Sequence, residues 1–169
     1  MFDTRVLGID PGLARLGLAV VARRGRARQL VWTDVARTPA GMDESRRLMI
    51  LVEAVRRAIA EHRPDAVAVE RVAFNRNVVS AMAVARITGA LMVTAAEAGL
   101  PIEEYSPTEV KNSVTGVGNA DKRQVRDALV RVHGLTSVPL QADATDAVAV
   151  AVTHLAGARL RAAARTGTR

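Results

Sequence analysis

Two apolar runs in this sequence end in an acid, LGID at Asp10 and VAVE at Glu70. A third stretch, QADATDAVAVAV, opens with two acids, Asp143 and Asp146, three residues apart. On a helix that spacing puts both on one face. A carboxylate among apolar neighbours is costly unless paired, and is pushed toward its protonated form. A divalent cation removes that cost, and hard oxygen donors favour Mg²⁺, with Mn²⁺ as a substitute. Four converging carboxylates can hold two such ions, which would activate a water toward phosphorus and stabilise a departing 3′ oxygen. Each acid taken singly has a plainer reading. Asp10 before Pro11-Gly12 suits a turn, Glu70 could pair with Arg71, and Asp143 and Asp146 suit the start of a helix. All four in this pattern point to metal-dependent phosphodiester hydrolysis, with Asp10, Glu70, Asp143 and Asp146 as ligands and catalytic groups.

The elements around these acids follow from periodicity. Arg5 to Asp10 reads as a buried strand, and Leu16 to Ala22 as a second, nearly all apolar. Arg24-Gly25-Arg26 is a hairpin turn. Gln29 to Arg37 is a third strand, with Leu30, Trp32 and Asp34 on one face by simple alternation. Asp43 to His62 is an amphipathic helix with Leu48, Leu51, Val52, Val55, Ala58 and Ile59 inward, closed by Pro64. AVAV before Glu70 is a fourth strand. Val79 to Gly99 is a helix apolar nearly all round, which has to be covered twice, by the sheet and by a second subunit. Pro101 to Tyr105 is a fifth strand. Ser106, Pro107 and Glu109 form a capping box that starts a helix. Ala120 to His133 is a helix with Val125, Ala128, Leu129 and Val132 inward, and Ala142 to about Leu160 is the last. A meander followed by alternating helix and strand makes an α/β fold with a mixed five-stranded sheet flanked by helices.

Length and composition suit one compact domain, taken as residues 1–156. Hydrophobic residues make up 49% of the 169 and aromatics 2%, so the core rests on many small aliphatic contacts. There is no cysteine, which excludes disulfides and thiolate metal sites and suits a reducing compartment. No signal peptide is read at the N-terminus, and no apolar stretch is read as spanning a membrane, so the expected location is cytoplasmic. The net charge of +7 favours polyanions such as nucleic acid. Residues 157–169 form a basic C-terminal tail, expected to be flexible. Arg159, Arg161, Arg165 and Arg169 lie there, and without them the remainder carries +3.

Several segments resemble the RuvC family of Holliday junction resolvases. LGIDPGLARLGLAVV is similar to its first motif, VERVAFNRNVVSA to its second, and QADATDAVAVAVTH to its last. VKNSVTGVGNADKRQV resembles the family's V-K-x-x-V-x-G-x-G-x-A-x-K-x-Q-V segment, the most specific of the four, because catalytic acids recur across many nucleases. The resemblance runs from residue 6 to about 155. It implies a ribonuclease H-like fold, a homodimer, and paired symmetric nicks across a four-way junction in recombination and repair, leaving 5′-phosphate and 3′-hydroxyl ends. It implies two Mg²⁺ per site on the four acids, with some members carrying His in place of Asp143. It also implies Lys111 and Lys122 as DNA contacts, and a branch-migration helicase complex acting on the same junction. The family usually has an aromatic three residues after the glutamate. Here that position is Ala73 and Phe74 follows, so Phe74 is expected to stack on bases, with Arg76 and Asn77 as neighbouring DNA contacts. Packing of Phe74 into the core is the alternative.

Other classes fit less well. An RNA-processing nuclease of the same superfamily would share the GIDPGLARLG opening but lack the VKNSVTGVGNADKRQV segment. A sugar kinase or actin-like ATPase needs two such domains, and 169 residues are too few. A non-catalytic junction-binding module would have no need of all four acids.

Overall fold

The computed structural model describes residues 4–71 and 78–166, with side chains described as far as Gly157. Five strands form one sheet: β1 (Thr4–Asp10), β2 (Arg15–Arg24), β3 (Ala27–Arg37), β4 (Ala66–Glu70) and β5 (Ile102–Tyr105). Their order is β3-β2-β1-β4-β5. β1, β2 and β3 run antiparallel, while β4 pairs parallel with β1 and β5 parallel with β4. This is the mixed sheet expected of a ribonuclease H-like fold.

Five helices cover it: α1 (Glu44–His62), α2 (Val78–Glu97), α3 (Pro107–Thr115), α4 (Lys122–Arg131) and α5 (Ala142–Thr166). Strand alternation sorts the core into two layers. Val6, Ala19, Val21 and Ala68 face α3, α4 and α5. Leu7, Ile9, Leu18, Val20 and Val67 face α1 and α2. All six residues assigned to the inner side of α1 lie in or against that second cluster. Arg63 takes a left-handed conformation and closes α1 just before Pro64.

Three expectations need correction. Val31 is an extra residue in β3, because Val20 pairs with Trp32 and Val21 with Leu30. Such a bulge resets the alternation. Leu30 therefore packs with the α5 layer and Trp32 with the α1 layer, where its ring lies 4.6 Å from that of His62. Val132 is 72% exposed, because α4 ends at Arg131 and the helical spacing no longer applies to it. Finally, α2 has the length and hydropathy of a membrane span, contrary to the sequence expectation. Its Ile87, Leu91 and Ala95 pack into the core beside the sheet. In addition, α5 runs on to Thr166, so the basic segment after residue 156 begins as a continuation of that helix.

Candidate active site

β1 and β4 are parallel neighbours, and Ile9 pairs with Val69. Asp10 and Glu70 are therefore level at the C-terminal ends of two adjacent inner strands about 4.8 Å apart. Asp10 follows Gly8 by two residues and Glu70 follows Ala68 by two, so both acids face the α5 layer. There the first turns of α5 bring Asp143 and Asp146.

Two glycines set how closely α5 approaches. A Cβ at Gly8 would overlap the carbonyl oxygen of Ala147, and a Cβ at Gly17 would overlap that of Asp143. The backbone of α5 thus rests directly on β1 and β2. A glycine inside a buried strand is the sequence sign of such an approach, and neither position was singled out from the sequence.

The electrostatics bear out the crowding. Burial raises the Asp10 carboxyl to about 7, and Glu70, Asp146 and Asp143 push it the same way, against a smaller opposing effect of Lys122. Burial, and then Asp146, raise Glu70 to about 7, with Lys122 and Lys111 opposing. The acids of α5 carry their own cations. Lys122 donates to Asp146 at 2.8 Å, and Arg15 Nε lies 3.2 Å from Asp143. The bond to Asp146 is the main reason the Lys122 ammonium titrates above its usual value, against the cost of its burial.

Lys122 is the first residue of α4, placed there by a capping box between Asp121 and Gln124. The corresponding box between Ser106 and Glu109 starts α3, which carries Lys111. Between these helices and the strand ends lies a cleft of about 380 Å³, lined among others by Glu70, Lys111, Lys122 and Asp146. A larger groove of about 720 Å³ lies against α1, lined by Leu48, Met49, Ile50 and Arg56 among others. It holds none of the four acids, so chemistry rather than volume places the site.

The structure therefore gathers Asp10, Glu70, Asp143, Asp146, Lys111 and Lys122. Phe74, Arg76 and Asn77 lie outside the described residues. Arg15 is a site residue that the sequence reading missed. Its signal was its place five residues after Asp10, at the start of the strand that returns alongside β1.

A model of the crossover junction endodeoxyribonuclease RuvC matches residues 6–154. This chain belongs to the RuvC family. The family's Saccharopolyspora erythraea member is 47% identical over 152 residues, spanning 89% of this chain and 76% of that protein. The Chloroflexus aggregans member is 43% identical over 150 residues, spanning 89% of this chain and 92% of that one. Thermus thermophilus RuvC, solved in complex with a Holliday junction substrate, superposes with a TM-score of 0.87 at 36% identity, over 94% of this chain and 96% of that one. A yeast mitochondrial Holliday junction resolvase shares the fold, with a TM-score of 0.69 at 15% identity, over 94% of this chain and 81% of that one.

The donor set fits a hard divalent cation. It is all carboxylate, and the charge of its two strand acids is suppressed by burial and mutual repulsion. Among the described residues, no three acidic or histidine side chains stand close enough together to coordinate an ion as they lie. Lys122 occupies Oδ2 of Asp146, and Oδ1 is the oxygen left for a metal.

Proposed function

We propose that this protein is an endonuclease that resolves four-way DNA junctions in recombination and repair by paired symmetric nicks. The observation that supports this most is the convergence of Asp10, Glu70, Asp143 and Asp146 beside the lysine-lined cleft. Asp10 and Glu70, fixed by the sheet, and Asp143 and Asp146, seated by Gly17 and Gly8, would hold two Mg²⁺, or Mn²⁺ in its place. Bound there, the metal would supply activation of the attacking water and stabilisation of the leaving 3′ oxygen, giving 5′-phosphate and 3′-hydroxyl ends. Lys111 and Lys122, which line the cleft beside Glu70 and Asp146, would hold backbone phosphates. Phe74, with Arg76 and Asn77 beside it, stacks on bases opened near the crossover.

Two cuts call for two sites related by a twofold axis, which a homodimer supplies. Its interface is the outer side of α2, where Val78, Met82 and Val93 are 72%, 51% and 58% exposed. Large exposed apolar side chains grouped on one helix mark an interaction surface. A branch-migration helicase working on the same junction is the expected partner, in the cytoplasm. The nuclease domain would be residues 1–156.

The test is cutting and binding of a synthetic junction by the Asp10→Asn protein in Mg²⁺. Retained binding with loss of cutting is the expected result. Cutting at the unaltered rate would remove the carboxylate cluster from the chemistry.

A further inference from the structure

The cations on the two α5 acids come from opposite flanks of the site. Lys122 reaches Asp146 from α4 and, with Lys111, lines the cleft that contains Glu70 and Asp146. Arg15 reaches Asp143 from the first residue of β2, the strand on the side of β1 away from β4 and Glu70. It therefore marks the other flank, beside Asp143.

We infer that Arg15 is a substrate contact, holding a phosphate of the cleaved strand on the flank of the four acids opposite Lys111 and Lys122. This rests on the resolvase reading above. A DNA strand crossing the acids leaves the lysine-lined cleft and passes over Asp143, where its next phosphates need a cation. Arg15 is the cation there that pairs with Asp143, with Arg37 opposite it on β3. Its side chain is 62% exposed, and among the described residues Asp143 is its one ion-pair partner. The pair is made through Nε, and the guanidinium carries further N–H donors in a planar fork. That fork is the geometry that grips a phosphate through two N–H groups. Arg15 is also placed in advance. It shares a face of β2 with Gly17, whose bare backbone seats the Asp143 peptide, so one strand holds both the acid and the arginine beside it. A side chain already tethered loses less freedom on binding.

Arg15→Gln, Arg15→Lys and a charge-matched control, Arg57→Gln on the exposed side of α1, separate this role from simple neutralisation of Asp143. Junction binding is measured in EDTA across a salt series, so the readout does not depend on metal or cutting. Arg15→Gln is expected to weaken binding about three- to tenfold and to flatten the dependence of log K on log salt by about 0.9, one phosphate contact. Arg57→Gln should match the unaltered protein. Arg15→Lys should restore the salt slope but only part of the affinity. If Arg15→Gln matches Arg57→Gln in both affinity and slope, Arg15 only neutralises Asp143 and the inference is overturned. If the unaltered protein binds junction no better than duplex, the resolvase reading falls first and this inference falls with it.

Discussion

At the strand ends, Asp10 and Glu70 have no ion-pair partner among the described residues, and burial lifts both carboxyls to about 7. On α5, Asp143 and Asp146 each face a cation of this chain, Arg15 and Lys122. The strand acids are rigid, because they end strands hydrogen-bonded on both sides, and their charge is left for something else to balance. The helix acids sit on the element laid over the sheet, and their charge is balanced by exposed side chains that can turn away. One half of the cluster thus stores the demand for a cation, while the other half supplies exchangeable partners. Groups perturbed in this way concentrate at functional sites.

The sharpest way to break this contrast is to neutralise one acid of each kind. Glu70→Gln is expected to lower junction cutting about 10³-fold or more, since roughly 4 kcal/mol of transition-state stabilisation rests on a rigid ligand. Asp143→Asn should cost less, about 10²-fold, because Asp143 already shares its charge with an exposed arginine of this chain. Equal losses in single-turnover cutting would erase the distinction.

The second test is stability. A carboxyl whose folded pKa is raised binds more protons when folded than when unfolded, so its contribution to stability falls as pH rises from about 4 to 7 and stays low above that. In EDTA at pH 8, Asp10→Asn should therefore be more stable than the unaltered protein by about 1–3 kcal/mol, with little difference near pH 4. Thermal unfolding at the two pH values checks this. A lower melting temperature for Asp10→Asn at pH 8 would mean the carboxylate is already compensated.

The smallest effect concerns the exchangeable partners. Lys122→Gln should weaken junction binding by about 1 kcal/mol and flatten its salt dependence by about one ion. An unchanged salt slope would confine Lys122 to Asp146.

The strand acids were legible in the sequence because an acid closing a run such as LGID or VAVE breaks the apolar pattern. The pairing of Asp143 with Asp146 followed from helical spacing, and the α3 start from Ser106, Pro107 and Glu109. What escaped were features that depend on two elements meeting. The bulge at Val31 leaves no mark in a strand whose residues suit either face, so Leu30 and Trp32 were placed together. Val132 continued the helical spacing of α4 past the point where the helix stops. Gly8 and Gly17 matter only because α5 lies on them, and Arg15 only because Asp143 comes within its reach. Local pattern shows which side chains are out of place; tertiary approach decides which partners they meet.

The measurement that bears most directly on the function is cleavage of an end-labelled synthetic four-way junction in Mg²⁺, beside the matching linear duplex and an RNA–DNA hybrid. Paired nicks at symmetric positions in the junction alone are expected. Cutting of the hybrid in preference to the junction would leave the carboxylate cluster standing and contradict the assignment of junctions as its substrate.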